Sequence, residues 1–186
     1  ALLMALDRAA ITAAVYGGRN PVAHSFSLPG EEIGEAGIRR YPHDPAAARR
    51  LLDAAGWREI RDCVRHDAAG EPLAFTLTTT AGHRGRAETQ RLIAQQWRAV
   101  GVSIRLATEP ADALFRTVLP QRKFDGMVLA AIIRTPYSEL ESHLTTASIP
   151  TAANNFAGQN YSGFGGADAL FRNLRSGRGA VAELRV

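Results

Sequence analysis

The stretch RTPYSELESHL, residues 134–144, combines an arginine, hydroxyl groups, a tyrosine, two glutamates and a histidine within eleven positions. Glu139 and His143 are four residues apart, so on a helix they share a face and could act as an acid/base pair. That chemistry would make the protein a hydrolase or a transferase. The alternative is a binding role, in which the same side chains contact a ligand without reacting with it.

Ordinary helix chemistry explains several of these side chains. Ser138 is suited to cap a helix whose first turn carries Glu139 and Glu141, where negative charge contributes roughly 0.3 to 1 kcal/mol. A metal centre would need more ligands, and no second histidine or cysteine lies within a turn of His143. No Gly-x-Ser-x-Gly motif occurs, and Cys63 falls in a predicted hairpin, so nucleophilic catalysis is not indicated.

A second group of cations and glycines, GHRGR at residues 82–86, precedes a predicted helix. The backbone N–H groups at such a helix start could hold an anion. A solvated turn between a strand and a helix is the commoner explanation of the same pattern. Both interpretations stay open from the sequence.

Alternating helices and strands place residues 134–144 at the end of a strand. Hydrophobic periodicity predicts a helix over 90–100, a strand over 102–108, a helix over 112–119 and a strand over 124–131. The last strand is a nearly continuous apolar run, FDGMVLAAII, which predicts burial on both faces. This order predicts an α/β fold, and ligands of such sheets bind beyond the carboxyl ends of the strands.

Local signals delimit the helix in HDPAAARRLLDAAGW. Asp44 is expected to cap it, Pro45 suits its first position, and Gly56 suits the left-handed residue that ends it. The predicted buried side chains are Leu51, Leu52 and Ala55, with Trp57 folding back as an apolar plug.

Other elements are predicted on either side. An amphipathic first helix ends at Gly17-Gly18. Residues 59–80 are predicted to form a strand, a turn at residues 67–70 and a second strand. A last helix starts near Ala167. The sequence begins without a methionine and ends on a pattern typical of an interrupted helix. We therefore expect a piece of a longer protein.

Composition excludes several classes of protein. The chain of 186 residues is 46% hydrophobic and 22% charged, as in a globular domain with one substantial core. All 22 basic residues except Lys123 are arginines, and they are scattered, so no nucleic-acid partner is expected. The single cysteine excludes an intrachain disulfide. The longest apolar run is shorter than the roughly 20 residues that cross a bilayer.

A loop near the end of the chain is rich in amides and aromatic rings. These side chains offer neutral donors, acceptors and flat apolar faces, which suit a pocket for a peptide or another polar organic ligand. The alternative is a surface loop whose asparagines stabilise turns. The residues concerned are Asn154, Asn155, Phe156, Gln159, Asn160 and Tyr161.

Six blocks follow one another in the order typical of a known family. ALDRAAITAAVYGG, YPHDPAAARRLLDAAGW, DCVRHDAAGEPLAFTLTTTAG, QRLIAQQWRAVGVSIRL, FDGMVLA and GQNYSGF cover nearly the whole chain. Together they resemble the extracytoplasmic solute-binding proteins of peptide, nickel and related ABC importers, family 5. The resemblance implies a periplasmic-binding-protein-like (class II) lobe, with a mixed sheet flanked by helices. Residues 1–186 would form most of the second, C-terminal lobe of a two-lobed protein whose first lobe lies outside this chain.

The resemblance also implies a function without catalysis. A peptide-like or other small polar solute would be captured between the lobes and delivered to an ABC permease in the membrane, with no catalytic residue, cofactor or metal. The full-length protein would be a periplasmic or otherwise extracytoplasmic monomer, and the question of a lipid anchor stays open.

The segment after the buried strand commonly reads Pro-Tyr-Asp-Pro in this family. Here Pro136 and Tyr137 match, while Ser138 and Glu139 replace Asp-Pro, so simple oligopeptide specificity does not follow. GQNYSGF, residues 158–164, matches well and is suited to close the surface of the lobe. The predicted ligand-binding residues are Arg134, Thr135, Tyr137, Ser138, Asn154 and Asn155.

Overall fold

A parallel sheet of three strands with the order β4-β3-β5 carries the main core. The computed structural model describes residues 1–24, 39–129 and 137–176. The central strand β3 (Ala74–Thr80) pairs in parallel with β4 (Ser103–Glu109) and with β5 (Met127–Leu129). Helix α3 (Arg84–Arg98) connects β3 to β4. The predicted α/β alternation is confirmed.

Helix α3 packs against the sheet through the face that its periodicity predicts. Trp97 is buried, and its ring meets Phe75 of β3 edge-on, with centroids 5.5 Å apart and planes at 67°. Gly101 follows the helix with a φ of +90°, a left-handed conformation that suits a residue just after a helix end. The buried apolar cluster around this contact comprises Ala5, Leu6, Ala48, Leu52, Leu77, Ala94, Trp97, Val100, Val102 and Ile104.

The prediction that residues 124–131 form a strand buried on both faces is wrong for Met127, which is 36% exposed. Within the described sheet β3 holds the central position, and Val128 and Leu129 of β5 are only half-buried. The apolar run pointed to β5 as the strand buried on both faces, whereas β3 is the central one. The sequence did not indicate this because the threonines of β3 count as polar. Their side chains are nevertheless buried at Thr76 and Thr78–80.

The segment between β4 and β5 is helical, as predicted for residues 112–119. It consists of a short α4 (Ala111–Ala113) continued by a π-helical turn, Leu114–Val118. Leu114 is fully buried.

Two helices precede the sheet. Helix α1 (Arg8–Tyr16) is shorter than the predicted first helix because Asp7 caps it, accepting a hydrogen bond from the Ala10 N–H at 2.8 Å. It ends at Gly17, as predicted, with a φ of +63°.

Helix α2 (Pro45–Ala54) has the predicted ends. The Asp44 carboxylate accepts from the Ala47 N–H at 2.8 Å, and Gly56 has a φ of +96°. Its buried residues are Leu52 and Ala48, which are one turn apart. The prediction that Leu51 and Ala55 are also buried is wrong, because both residues are exposed to solvent.

A separate two-stranded hairpin lies between α2 and the sheet. Strands β1 (Glu59–Arg61) and β2 (Val64–His66) pair antiparallel, and Asp62 and Cys63 form the connecting turn with φ values of 49° and 64°. The predicted turn at residues 67–70 exists, with the Asp67 carboxylate accepting two backbone N–H groups. It is flanked by an antiparallel bridge between His66 and Pro72 and leads into β3, as predicted. The predicted first strand, in contrast, is itself the hairpin of β1 and β2, and β3 belongs to the other sheet.

Arg65 of β2 ties this hairpin to the main core. Its guanidinium is buried and donates to the carbonyl of Val100 at 2.8 Å, to the carbonyl of Trp57 at 2.6 Å and to Asp53 at 2.5 Å. Trp57 itself packs against the main cluster, as predicted. We call residues 1–24 and 39–129 the sheet unit.

Two helices after the sheet form the helical unit, residues 137–176. Helices α5 (Tyr137–Leu144) and α6 (Asp168–Arg175) share a small cluster of their own, and α6 starts where the sequence predicts. Helix α5 begins at Tyr137, so Ser138 lies inside its first turn and the prediction that Ser138 caps it is wrong. The buried apolar residues of the unit are Leu140, Ala167 and Phe171.

Candidate ligand-binding site

The carboxyl ends of the three strands form one edge of the sheet. Thr80 and Glu109 are paired in register at the last positions of β3 and β4. At the end of β5, the Thr79 hydroxyl donates to the Leu129 carbonyl at 2.7 Å. Leu129 is the last described residue of β5, and it is paired with Thr79 of the central strand.

Arg86 reaches this edge from the first turn of α3, and its Nη1 donates to the Thr80 hydroxyl. Phe75 and Leu77 face α3, so by alternation the Thr80 side chain points to the opposite side of the sheet. The guanidinium of Arg86 must therefore pass over the carboxyl end of β3 to reach it. Sequence reasoning singled out GHRGR but did not include Arg86 in the site.

The N-terminus of α3 is capped within the chain. His83 precedes the helix, and its Nδ1 accepts from the backbone N–H of Arg86 at 3.1 Å. One of the N–H groups that could hold an anion is thus already used, and the first turn also carries the side chains of Arg84 and Arg86.

Four predicted ligand-binding residues follow β5. Arg134 and Thr135 lie outside the described residues. Tyr137 and Ser138 form the start of α5, and their side chains are likewise not among those that the structure describes. Their part in ligand binding stays a prediction.

Asn154 and Asn155 lie in the loop between α5 and α6. The Asn154 amide donates to the carbonyl of Ile149 and accepts from the N–H of Thr151, both at 2.9 Å. These bonds leave one N–H and one lone pair of that amide for other partners. Asn155 is exposed and takes the left-handed conformation, with a φ of 53°. Their predicted ligand contacts are not tested by this geometry.

Asn160, in the GQNYSGF block, points into the protein. It is fully buried, and its amide donates to the carbonyls of Thr145 at 2.9 Å and Phe164 at 2.6 Å. Its oxygen accepts from the Ser162 hydroxyl and from the Gly163 N–H. Asn160 therefore cross-links the loop and the end of α5, consistent with a block that closes the surface of the lobe.

The residues of the acid/base hypothesis are only partly described. His143 is half-buried in the last turn of α5, whereas the Glu139 side chain lies outside the description. The neighbouring Glu141 is bound by Arg175 at 2.5 Å. Among the residues that the structure describes, no group of three potential metal ligands occurs, and no helix is long and apolar enough to cross a membrane.

Residues 1–148 match the family model of bacterial extracellular solute-binding proteins, family 5, middle part. The chain belongs to this family. The oligopeptide-binding protein AppA of Bacillus subtilis is 25% identical over 142 residues, which cover 73% of this chain and 25% of that protein. The family 5 proteins matched here are substrate-binding proteins rather than enzymes, so the acid/base hypothesis finds no support.

Solved structures of family 5 relatives share the fold. The oligopeptide-binding protein of Thermus thermophilus, complexed with a pentapeptide, has a TM-score of 0.83 and 23% identity, over 99% of this chain and 33% of that one. NikZ of Campylobacter jejuni, in complex with Ni(L-His), has a TM-score of 0.77 and 19% identity, over 99% of this chain and 36% of that one. The chain thus has the class II periplasmic-binding fold and spans about a third of the length of these proteins.

Proposed function

We propose that residues 1–186 form most of the second lobe of an ABC-importer solute-binding protein, and that the first lobe lies elsewhere in the full-length protein. The observation that carries this proposal is the parallel sheet whose carboxyl edge is lined by polar groups, in a chain of family 5. Ligands of such sheets bind at this edge. Closure of the first lobe over it would remove the solute from water.

The solute is a peptide-like or other small polar organic molecule. Relatives described as oligopeptide-binding, and one solved with a nickel–histidine complex, support this class. The replacement of the common Asp-Pro by Ser138-Glu139 argues against assuming the same peptide preference.

The position of Arg134 and Thr135 in the sequence supports their proposed part in binding. They follow Leu129, the last described residue of β5, within six residues, and Leu129 is paired with Thr79 near the carboxyl edge of the sheet. Arg134 is proposed as the charged partner and Thr135 as a hydroxyl donor. The remaining contacts are the ring of Tyr137, the hydroxyl of Ser138 and the amides of Asn154 and Asn155.

The protein acts by binding and release, without turnover. A loaded, closed form would be recognised by a membrane permease on the extracytoplasmic side, which is where the family operates. Hydrolysis of the solute is not part of this function.

A titration of the full-length protein tests the proposal. The protein is unfolded and refolded to remove bound solute, and then titrated calorimetrically with trialanine and longer alanine peptides. We expect saturable binding, with each peptide recovered intact by mass spectrometry. Arg134→Ala should weaken binding by about 1.5 to 3 kcal/mol, the value of a hydrogen bond to a charged group.

Arg116→Ala is the matched control, because Arg116 is 79% exposed and pairs with Asp112 one turn away. It should leave the dissociation constant unchanged. Recovery of cleaved peptide would show that the protein is a hydrolase and would contradict the proposed binding function. An unchanged dissociation constant for Arg134→Ala would show that Arg134 is not part of the site.

A further inference from the structure

Arg122 takes a backbone conformation that favours glycine. It has a φ of 52° at the end of the helical segment between β4 and β5. Two backbone hydrogen bonds close this helix end: the Arg122 N–H donates to the Leu119 carbonyl at 3.0 Å, and the Lys123 N–H donates to the Val118 carbonyl at 2.8 Å. Glycine is the usual residue at this position, because other side chains are strained in the left-handed region. The arginine therefore strains the helix end, and any compensation must come from its side chain.

The guanidinium of Arg122 packs against Gly163 of the GQNYSGF block. A Cβ atom at Gly163 would lie 2.8 Å from Nη2, 3.3 Å from Cζ and 3.4 Å from Nη1 of that guanidinium. Gly163 has a φ of +73°, so both the space around it and its backbone suit glycine. The strained arginine and the glycine thus fit each other, although the first belongs to the sheet unit and the second to the helical unit.

Gly163 is connected directly to the buried network of Asn160. Its N–H donates to the side-chain oxygen of Asn160 at 3.1 Å, and the Asn160 amide donates to the Thr145 carbonyl at 2.9 Å. Thr145 follows the last residue of α5, and the first residues of that helix are proposed ligand contacts. A continuous series of contacts therefore leads from Arg122 through Gly163 and Asn160 to α5.

The contact between Arg122 and Gly163 lies away from the edge where the solute is proposed to bind. The helical segment that ends at Arg122 starts after Glu109, at the carboxyl edge, and the chain then returns to the start of β5. There, a Cβ atom at Gly126 would lie 2.9 Å from the backbone nitrogen of Thr76, near the amino end of the central strand. Any effect of Arg122 on the solute must therefore pass through the helical unit.

We propose that Arg122 is a positioning residue, which holds the helical unit on the sheet unit and thereby places the ligand contacts that the helical unit carries. The inference rests on the proposed function, because it takes those ligand contacts from it. The hydrogen bonds of the helix end fix the backbone from which the guanidinium projects, and Gly163 leaves the space that the guanidinium fills. The strain at Arg122 is thus compensated by a contact between the two units.

Hydrogen exchange and calorimetry of the full-length protein test the two parts of this proposal. Arg122→Gly relieves the backbone strain but removes the guanidinium. Exchange over residues 145–164 should become about ten-fold faster, since residues in contact have coupling energies of that order. Protection of β3 and β4 should be unchanged or higher, which a general loss of stability would not produce. The affinity for trialanine, measured after bound solute is removed by refolding, should fall by a similar factor.

Further variants assign the effect to the contact itself. Arg122→Lys keeps the strain and the charge without the planar group, and should keep part of the affinity. Gly163→Ala should weaken binding in the wild type but less in Arg122→Gly, because the space of the guanidinium is then open. Cys63→Gly is the matched control, since this exposed residue also has a left-handed backbone, with a φ of 64° in the turn between β1 and β2. It should leave the affinity and the exchange over residues 145–164 unchanged.

Each outcome decides for or against the role of Arg122. Unchanged exchange over residues 145–164 in Arg122→Gly, or faster exchange with an unchanged affinity, overturns it and leaves the solute-binding function standing. An equal effect of Gly163→Ala with and without Arg122 also contradicts it. Wild-type protein that binds no alanine peptide contradicts the proposed function and the placement of ligand contacts, while exchange still decides whether Arg122 joins the two units. Thermal unfolding of every variant verifies that it is folded.

Discussion

The sheet unit and the helical unit are stabilised in different ways. The sheet unit buries a continuous apolar cluster, with Trp97, Ala94 and Val102 all at most 5% exposed. The helical unit has a smaller buried apolar cluster, separate from the first, which comprises Leu140, Ala167 and Phe171 among the described residues. Its loop instead depends on the hydrogen bonds of Asn160 and on an ion pair between α5 and α6.

This difference has consequences for how each unit responds to change. Apolar burial is non-directional and adds up over area, so a large cluster tolerates small losses. A buried polar network has few members, and the loss of one leaves its partners without hydrogen bonds. The proposed site draws on both units, because the carboxyl edge of the sheet belongs to the sheet unit and Asn154 and Asn155 belong to the helical unit.

The largest effect is expected for Trp97→Ala. This change removes the edge-on contact with Phe75 and the bond from the indole N–H to the Leu2 carbonyl, and it opens a cavity in the main cluster. We expect a loss of about 3 to 5 kcal/mol in the free energy of unfolding. Hydrogen exchange in the full-length protein should show lower protection throughout β3 and β4. Leu51→Ala, at an exposed site, should cost below about 0.5 kcal/mol, and an equal loss would contradict the assignment of the core.

A smaller and local effect is expected for Asn160→Ala. The carbonyls of Thr145 and Phe164 would lose their donor, at a cost of about 2 to 3 kcal/mol. Hydrogen exchange should increase over residues 145–164 and stay unchanged in β3 and β4. Asn173→Ala, on the exposed side of α6, is the control. If protection fell equally in both units, they would unfold together and the distinction between them would be lost.

The sequence predicted best those features that depend on neighbouring residues alone. Asp44 caps the start of α2 and Gly56 follows its end, both where expected, because capping is decided within one turn of chain. The central strand was misjudged because burial is decided by distant partners. Threonine is compatible with a buried strand, since Thr79 is fully buried and its hydroxyl donates to the Leu129 carbonyl of the neighbouring strand.

The sequence predicted where the candidate site lies in the fold, but it did not predict which residues form it. A polar segment after an apolar strand indicates the ligand edge, whereas the contact of Arg86 with Thr80 requires α3 to fold back over the end of β3. The available signal was GHRGR directly after the strand, which sequence alone could not distinguish from a solvated turn. Asn160 was singled out with other amides, and its burial could not be read from its type.

The smallest effect is expected for Glu141→Gln, which removes the ion pair with Arg175 in the helical unit. The Arg175 side chain is 67% exposed and that of Glu141 is 30% exposed, so water already screens the attraction. We expect a loss of about 0.2 to 1 kcal/mol, measured by thermal unfolding at low salt and decreasing at about 1 M salt. Glu59→Gln is the matched change in the sheet unit, where Glu59 pairs with Arg61 at 2.7 Å. If Glu141→Gln and Glu59→Gln lower the free energy of unfolding by similarly small amounts, Asn160 is the main polar link of the helical unit. An exposed ion pair cannot replace buried hydrogen bonds. A loss for Glu141→Gln as large as that for Asn160→Ala would instead make the contact between α5 and α6 the element that holds this unit together.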